Sequence, residues 1–262
     1  MKTKTVRELM TEYDIRPQKK YGQNFLTDRA TVDKILSEVS EGAYVLEIGP
    51  GLGALTAGLV EKASKVIAYE IDERLAAILE KELPSDKLEV RCQDFMKAEV
   101  SFKEKMTVVS NLPYYLTSDI LLKLFASEIK IEKIIVMVQK EVADKLVGSR
   151  SLKDVTPLTV LADCLSDSRT LCRVDRSLFN PAPQVDSAVI VFEMHEEDGL
   201  DRRGFCSFLQ KCFRQRRRTL AGNLKNEYPD TVKEIEELGY DAKVRAEQLR
   251  PADLRKLFEV LV

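Results

Sequence analysis

Apolar and polar positions along the chain follow two rhythms. In residues 31–39, Val32, Ile35, Leu36 and Val39 recur at helical spacing. Residues 44–48 (Tyr-Val-Leu-Glu-Ile) form a short apolar run that ends in glycine, the pattern of a buried strand. The same reading places helices over 55–63, 73–83 and 118–125, and strands over 65–70, 88–92, 106–110 and 133–138. Strands that alternate with helices at this interval predict a parallel α/β sheet. A further strand is expected over 187–192, after Pro181 and Pro183. Beyond the acidic turn at 196–199 the pattern is helical to the C-terminus, so a boundary is expected near Gly199. The stretch after it is too short to be a confidently separate domain. There is no internal repeat and no low-complexity stretch.

Composition narrows the class. The 262 residues are 44% hydrophobic and 32% charged, which suits a globular chain with a real core. No apolar run approaches the roughly 18 residues needed to span a bilayer, and the polar start lacks a signal core, so secretion is not expected. Cys92, Cys164, Cys172, Cys206 and Cys212 are odd in number and contain no C-x-x-C. Reduced thiols in the cytoplasm are the natural reading, with neither a disulfide scaffold nor a metal site. His195, the one histidine, cannot build a histidine metal site or a triad with a plausible partner.

A net charge of −2 argues against a nucleic-acid partner only when averaged over the chain. Residues 202–225 carry eight basic side chains and no acid, while residues 31–201 carry 20 basic and 30 acidic ones. A phosphate-binding footprint competes here with a solvated helix face. The absence of acids four residues away weakens the second reading, because ordinary solvated helices mix signs.

The candidate chemistry sits at expected strand ends. Gly49, Gly51 and Gly53 lie where a strand hands over to a helix, a place where backbone can approach a ligand. Read as G-x-G-x-x-G, the pattern ends on Ala54 or Thr56, which leaves NAD and S-adenosylmethionine both open. Glu70 ends the next strand, 21 residues after Gly49, where a carboxylate can accept from two ribose hydroxyls. Asp94 follows the third strand and can accept from an adenine amine. After the fourth strand comes Asn111-Leu112-Pro113-Tyr114. An exocyclic amine is a poor nucleophile, and methylating it calls for acceptors aimed at its two N–H bonds. The Asn111 side-chain oxygen and the Leu112 carbonyl can supply them. Pro113 fixes the turn, and Tyr114 offers a face on which an extruded base can stack.

With these residues in place, the chain resembles the KsgA family of small-subunit rRNA adenine N6,N6-dimethyltransferases. The matching stretches are Tyr21-Gly-Gln-Asn-Phe-Leu26, Glu47-Ile-Gly-Pro-Gly-Leu-Gly53, Asn111-Leu-Pro-Tyr114, Phe179-Asn-Pro-Ala-Pro-Gln-Val-Asp-Ser187 and Phe213-Arg-Gln-Arg-Arg-Arg-Thr-Leu220, in family order. The resemblance implies a Rossmann-like, seven-stranded α/β methyltransferase domain over residues 1–198, with an N-terminal extension over 1–18. A small all-helical domain over 199–262 is expected to position RNA. S-adenosylmethionine is the implied cofactor, held by Gln23, Asn24, Leu26, Gly49, Gly51, Gly53, Glu70, Asp94 and Asn111. Asn111, Leu112, Pro113 and Tyr114 would serve the target base, with Phe179 closing over its other face. Lys19, Lys20, Lys211, Arg214, Arg216, Arg217 and Arg218 would hold RNA phosphates. The implied partner is small-subunit rRNA in an immature ribosomal subunit, met by a monomer in the cytoplasm, with no membrane contact. One stretch departs from the family pattern: over 148–157 the chain reads Ser151-Leu-Lys-Asp-Val-Thr156, without the usual aromatic and glycine of that loop. A large-subunit rRNA methyltransferase of the antibiotic-resistance type and a DNA adenine methyltransferase share the Asn-x-Pro-Tyr type of turn. A non-catalytic assembly factor could keep the fold.

Overall fold

The computed structural model describes residues 4–148, 151–196 and 199–262, apart from the side chain of Lys19. Its centre is a seven-stranded sheet: β1 (Tyr44–Ile48), β2 (Lys65–Glu70), β3 (Leu88–Cys92), β4 (Met106–Asn111), β5 (Ile131–Gln139), β6 (Ser166–Val174) and β7 (Ser187–Met194). Their order across the sheet is β3-β2-β1-β4-β5-β7-β6. The first five strands are parallel, as their alternation with helices predicts, but β7 runs antiparallel to β5. The central strands are continuous apolar runs because helices cover both their faces. On one face Val45, Val66, Val109, Ile135 and Val189 pack against Val32, Ile35 and Leu59. Helices Arg29–Ser37 and Glu73–Glu82 start at Asp28 and Asp72, whose side chains accept backbone N–H groups of the first turn. Reversal of the chain order at β1 and β4 puts the ends of β1 to β4 around one opening, where open α/β sheets bind ligands.

Several elements differ from the sequence reading. The helix Val6–Glu12 stands where only an extension was expected, and it is capped by Thr5 and Glu8 in a reciprocal box. Val6 and Leu9 bury against Ile15, Phe25, Leu52, Leu75 and Ile78, so this segment is part of the core. Strand β6 carries no apolar run because it lies at the sheet edge, where charged side chains guard unpaired backbone. A two-residue ribbon pairs Phe25–Leu26 with Phe179–Asn180 in antiparallel register, far too short to leave a periodic signal.

The chain divides into two compact units. The first comprises Met1–Ile120, Ile129–Val147 and Ser168–Met194, and it holds most of the sheet. The second comprises Leu121–Glu128, Gly148–Asp167 and His195–Val262. The helical unit is therefore assembled from three stretches, whereas the sequence reading assigned it residues 199–262 alone. Helix Pro157–Leu165 packs with Arg202–Cys212 and Pro251–Leu261, and buries Leu158, Leu161 and Leu165. Phe205, Phe208, Tyr228 and Phe258 form the aromatic centre of this unit, with ring centroids 5.3–5.7 Å apart. Buried Asp253 is satisfied by Arg250 and by the Tyr240 hydroxyl at 2.6 Å. Residues 213–218 form a turn between helices, where the sequence pattern predicts helix. Among the described residues no helix is long and apolar enough to cross a membrane.

Candidate active site

A cavity in the first unit opens at the carboxyl ends of β1 to β4. Its lining includes Gln23, Asn24, Leu26, Gly49, Gly51, Glu70, Asp94, Asn111, Leu112, Pro113 and Tyr114. Residues from four strand ends thus meet in one place, as the parallel topology requires.

The glycine loop adopts a conformation that other residues resist. Gly49, Gly51 and Gly53 have φ of +67°, +60° and +81°. At Gly49 a Cβ would meet nothing within 4 Å, so the loop leaves open space there, whereas at Gly51 it would press on the Phe25 ring at 3.2 Å. Gly53 has another task. It does not line the cavity, and a Cβ on it would stand 2.8 Å from Leu79, so it lets helix Glu73–Glu82 pack closely on the loop.

Glu70 is 4% exposed and braces the loop. One carboxylate oxygen accepts the Gly51 N–H at 2.9 Å and the other accepts the Asp72 N–H at 2.9 Å. Burial pushes the Glu70 carboxyl above its ordinary range, against the pull of these two donors. Each oxygen keeps a further lone pair for a hydroxyl. Asp94 accepts the Met96 N–H at 2.9 Å, which fixes its carboxylate at the end of β3. Glu47, at 1% exposure in the same lining, is pushed up to about 8 by burial, with the Glu70 charge adding to the shift.

Asn111 closes β4, and its amide nitrogen donates to the Asn24 carbonyl at 3.0 Å. That bond sets the amide plane and leaves the side-chain oxygen as an acceptor. Asn24 in turn donates to the Gly22 carbonyl at 3.1 Å. The backbone N–H of Leu112 donates to the Met137 carbonyl at 3.1 Å and ties the turn to β5. Pro113 holds φ at −62°. The Tyr114 hydroxyl lies 2.6 Å from Ser187 Oγ.

Two more expected site residues turn their side chains elsewhere. Phe179 is 5% exposed and lies in the core with Leu26, Val32 and Val174, outside the cavity lining. Its place follows from the ribbon, which pairs it with Leu26. The Gln23 side chain spends its two ends on the Gln18 N–H at 2.7 Å and on Asp72 at 3.0 Å, so it shapes the loop from behind. The sequence reading missed the partnership of Ser187 with Tyr114, which only the fold brings together.

The basic residues are also divided. Lys211 forms an ion pair with Glu227, and Arg214 pairs with the same carboxylate at 3.1 Å. The acid absent from the local sequence is thus supplied by the turn that follows helix Leu220–Leu224, against the sequence expectation. Arg216 donates to the Leu152 carbonyl at 3.3 Å and stays exposed, as do Arg217 and Arg218. Lys20 is exposed, with Nζ 4.3 Å from the centre of the Tyr21 ring. The side chain of Lys19 lies outside the described residues.

The family model for ribosomal RNA adenine dimethylase matches residues 15–262. A curated protein named ribosomal RNA small subunit methyltransferase A, from Mycoplasma mobile, is 38% identical over 88% of this chain and 93% of its own length. A dimethyladenosine transferase structure from Plasmodium falciparum superposes with a TM-score of 0.75 at 26% identity, covering 89% of this chain and 95% of that one. The 23S rRNA methyltransferase ErmE superposes with a TM-score of 0.65 at 32% identity, over 91% and 99%. With the glycine loop, the two strand-end carboxylates and the Asn-Leu-Pro-Tyr turn in one cavity, and a family model covering nearly the whole chain, this protein belongs to the ribosomal RNA adenine dimethylase family.

Proposed function

We propose that the chain methylates N6 of adenosines in small-subunit rRNA, twice at each target, with S-adenosylmethionine as donor. The observation that carries this reading is the amide of Asn111, turned by its bond to Asn24 so that an acceptor remains beside the glycine loop. The cavity suits the cofactor by its donor set. Glu70 and Asp94 offer acceptors at successive strand ends for ribose hydroxyls and an adenine amine, and Gly49 leaves room for close approach. Asn24 and Leu26 would wall the rest. When bound, S-adenosylmethionine supplies a methyl group already activated on a sulfonium.

The chain's own residues then act by placement. Asn111 Oδ1 and the Leu112 carbonyl accept the two N6–H bonds, which orients the amine and stabilises positive charge that develops on it. Tyr114 stacks the base, a contact worth roughly 1–3 kcal/mol. The target adenine has to be single-stranded or turned out of its helix to reach this cavity. Exposed Arg216, Arg217 and Arg218, with Lys20, would hold phosphates, and Lys211 and Arg214 would do so only in competition with Glu227. Immature small subunits in the cytoplasm are the substrate form this reading favours, and a monomer suffices for it.

The test is mass spectrometry of dimethyladenosine in both ribosomal RNAs after incubation with S-adenosylmethionine and undermethylated subunits. Product in the small-subunit rRNA is expected, with a loss of about 100-fold for Asn111→Ala. Undiminished transfer by that variant overturns the role of Asn111, and product in large-subunit rRNA alone overturns the substrate.

A further inference from the structure

Tyr114 and Ser187 are 73 residues apart in sequence, yet their hydroxyls meet at 2.6 Å. Tyr114 opens the short turn after β4, and Ser187 is the first residue of β7. Ser187 is wholly buried at 0% exposure. Its backbone is held by register with Gln139 of β5, and Asp186 beside it accepts the Lys140 N–H at 2.9 Å and the Arg176 N–H at 3.2 Å. Ser187 Oγ therefore stands on a fixed frame.

Tyr114 does not have such a frame of its own. It is partly exposed in the cavity lining, and rotation about its first side-chain torsion would swing the ring through the space a base must occupy. A hydrogen bond at the far end of the ring removes that freedom. Burial pushes the Tyr114 phenol up, so it keeps its proton across the neutral range.

We propose that Ser187 is a positioning residue for methyl transfer: by holding the Tyr114 hydroxyl it sets the ring plane on which the target adenine stacks, and so aims N6 at Asn111. This rests on the reading of Tyr114 as the base platform. With alanine at 187 the phenol loses its partner, and the ring is drawn toward water, away from the stacking position.

The test is a double-mutant cycle on the full chain, with undermethylated small subunits as substrate. Ser187→Ala and Tyr114→Phe each remove one end of the same bond. Each is expected to lower kcat/KM about tenfold, through a higher KM for the subunit, with cofactor affinity by calorimetry unchanged. The double variant is expected to be no worse than either single one. Ser187→Thr, which keeps a hydroxyl, is expected to recover most of the loss. Tyr114→Phe keeps the ring and leaves β7 intact, so it reports on the bond even where Ser187→Ala folds poorly. Parental kcat/KM for Ser187→Ala, or a double variant whose loss is the product of the two single losses, overturns the proposal. Tyr114→Ala separates the two levels: parental activity there removes the platform reading and this proposal with it, whereas a loss there beside an intact Ser187→Ala removes this proposal alone.

Discussion

Around the strand-end cavity, polar side chains are held by backbone: Glu70 by the Gly51 and Asp72 N–H groups, Asn111 by the Asn24 carbonyl. Around residues 211–218, charge is met by another side chain, at Arg216 by the Leu152 carbonyl, or by solvent. Lys211 and Arg214 share Glu227, while Arg217 and Arg218 stand exposed. The difference follows from what each region has to do. A methyl group must be aimed to a fraction of an ångström, which calls for groups whose own positions are fixed by secondary structure. Phosphates need only a field, which mobile surface cations supply and salt weakens.

The comparison can be broken at several points. The largest effect is expected at Phe179, which holds the ribbon behind the cavity. Phe179→Ala should cost about 3–5 kcal/mol in a denaturant melt, and a cost below about 1 kcal/mol would show that the ring is free of the core. Glu70→Ala removes the acceptor of two backbone N–H groups and a proposed ribose ligand. Cofactor affinity by calorimetry should fall about 100-fold, and a fall below threefold would put the ribose elsewhere. In the basic turn, the triple change Arg216→Ala, Arg217→Ala and Arg218→Ala should reduce the slope of log affinity against log salt by about 2. Lys211→Ala, whose charge already faces Glu227, should leave that slope almost unchanged. Equal slopes for both variants would erase the distinction between paired and free cations.

The smallest effect concerns pH. The Glu47 carboxyl sits at about 8 in the folded chain against 4.5 for an ordinary one, because burial penalises its charge. Its raised value makes the folded state hold the proton more tightly, so its contribution to stability is full below about pH 4.5 and lost as pH rises through about 8. Glu47→Gln should therefore melt a few degrees above the parent at pH 8.5 and close to it at pH 5. Coincident differences at both values would show that Glu47 does not carry the proton.

Legibility of the fold differed between its halves for a physical reason. Strands β1 and β2 match the apolar runs residue for residue, because both faces of a central parallel strand are buried and nearly every position is constrained. Helix Val6–Glu12 also has a local signal, since Thr5 and Glu8 stand at capping-box spacing around Val6 and ahead of Leu9. Strand β6 and the Phe25–Leu26 ribbon were not readable. One is an edge that must stay polar, and the other is two residues long.

The sequence by itself determined the strand-end residues of the cavity and the family, because each motif is local and a parallel sheet delivers successive strand ends to one side. Tertiary structure alone decided the rest. It sent Phe179 into the core, turned Gln23 onto Asp72, gave Lys211 and Arg214 an acid 13 to 16 residues away, and set Ser187 against Tyr114. Each of these is a contact between segments far apart along the chain, and no local pattern encodes which partner a side chain meets after the backbone has closed around it.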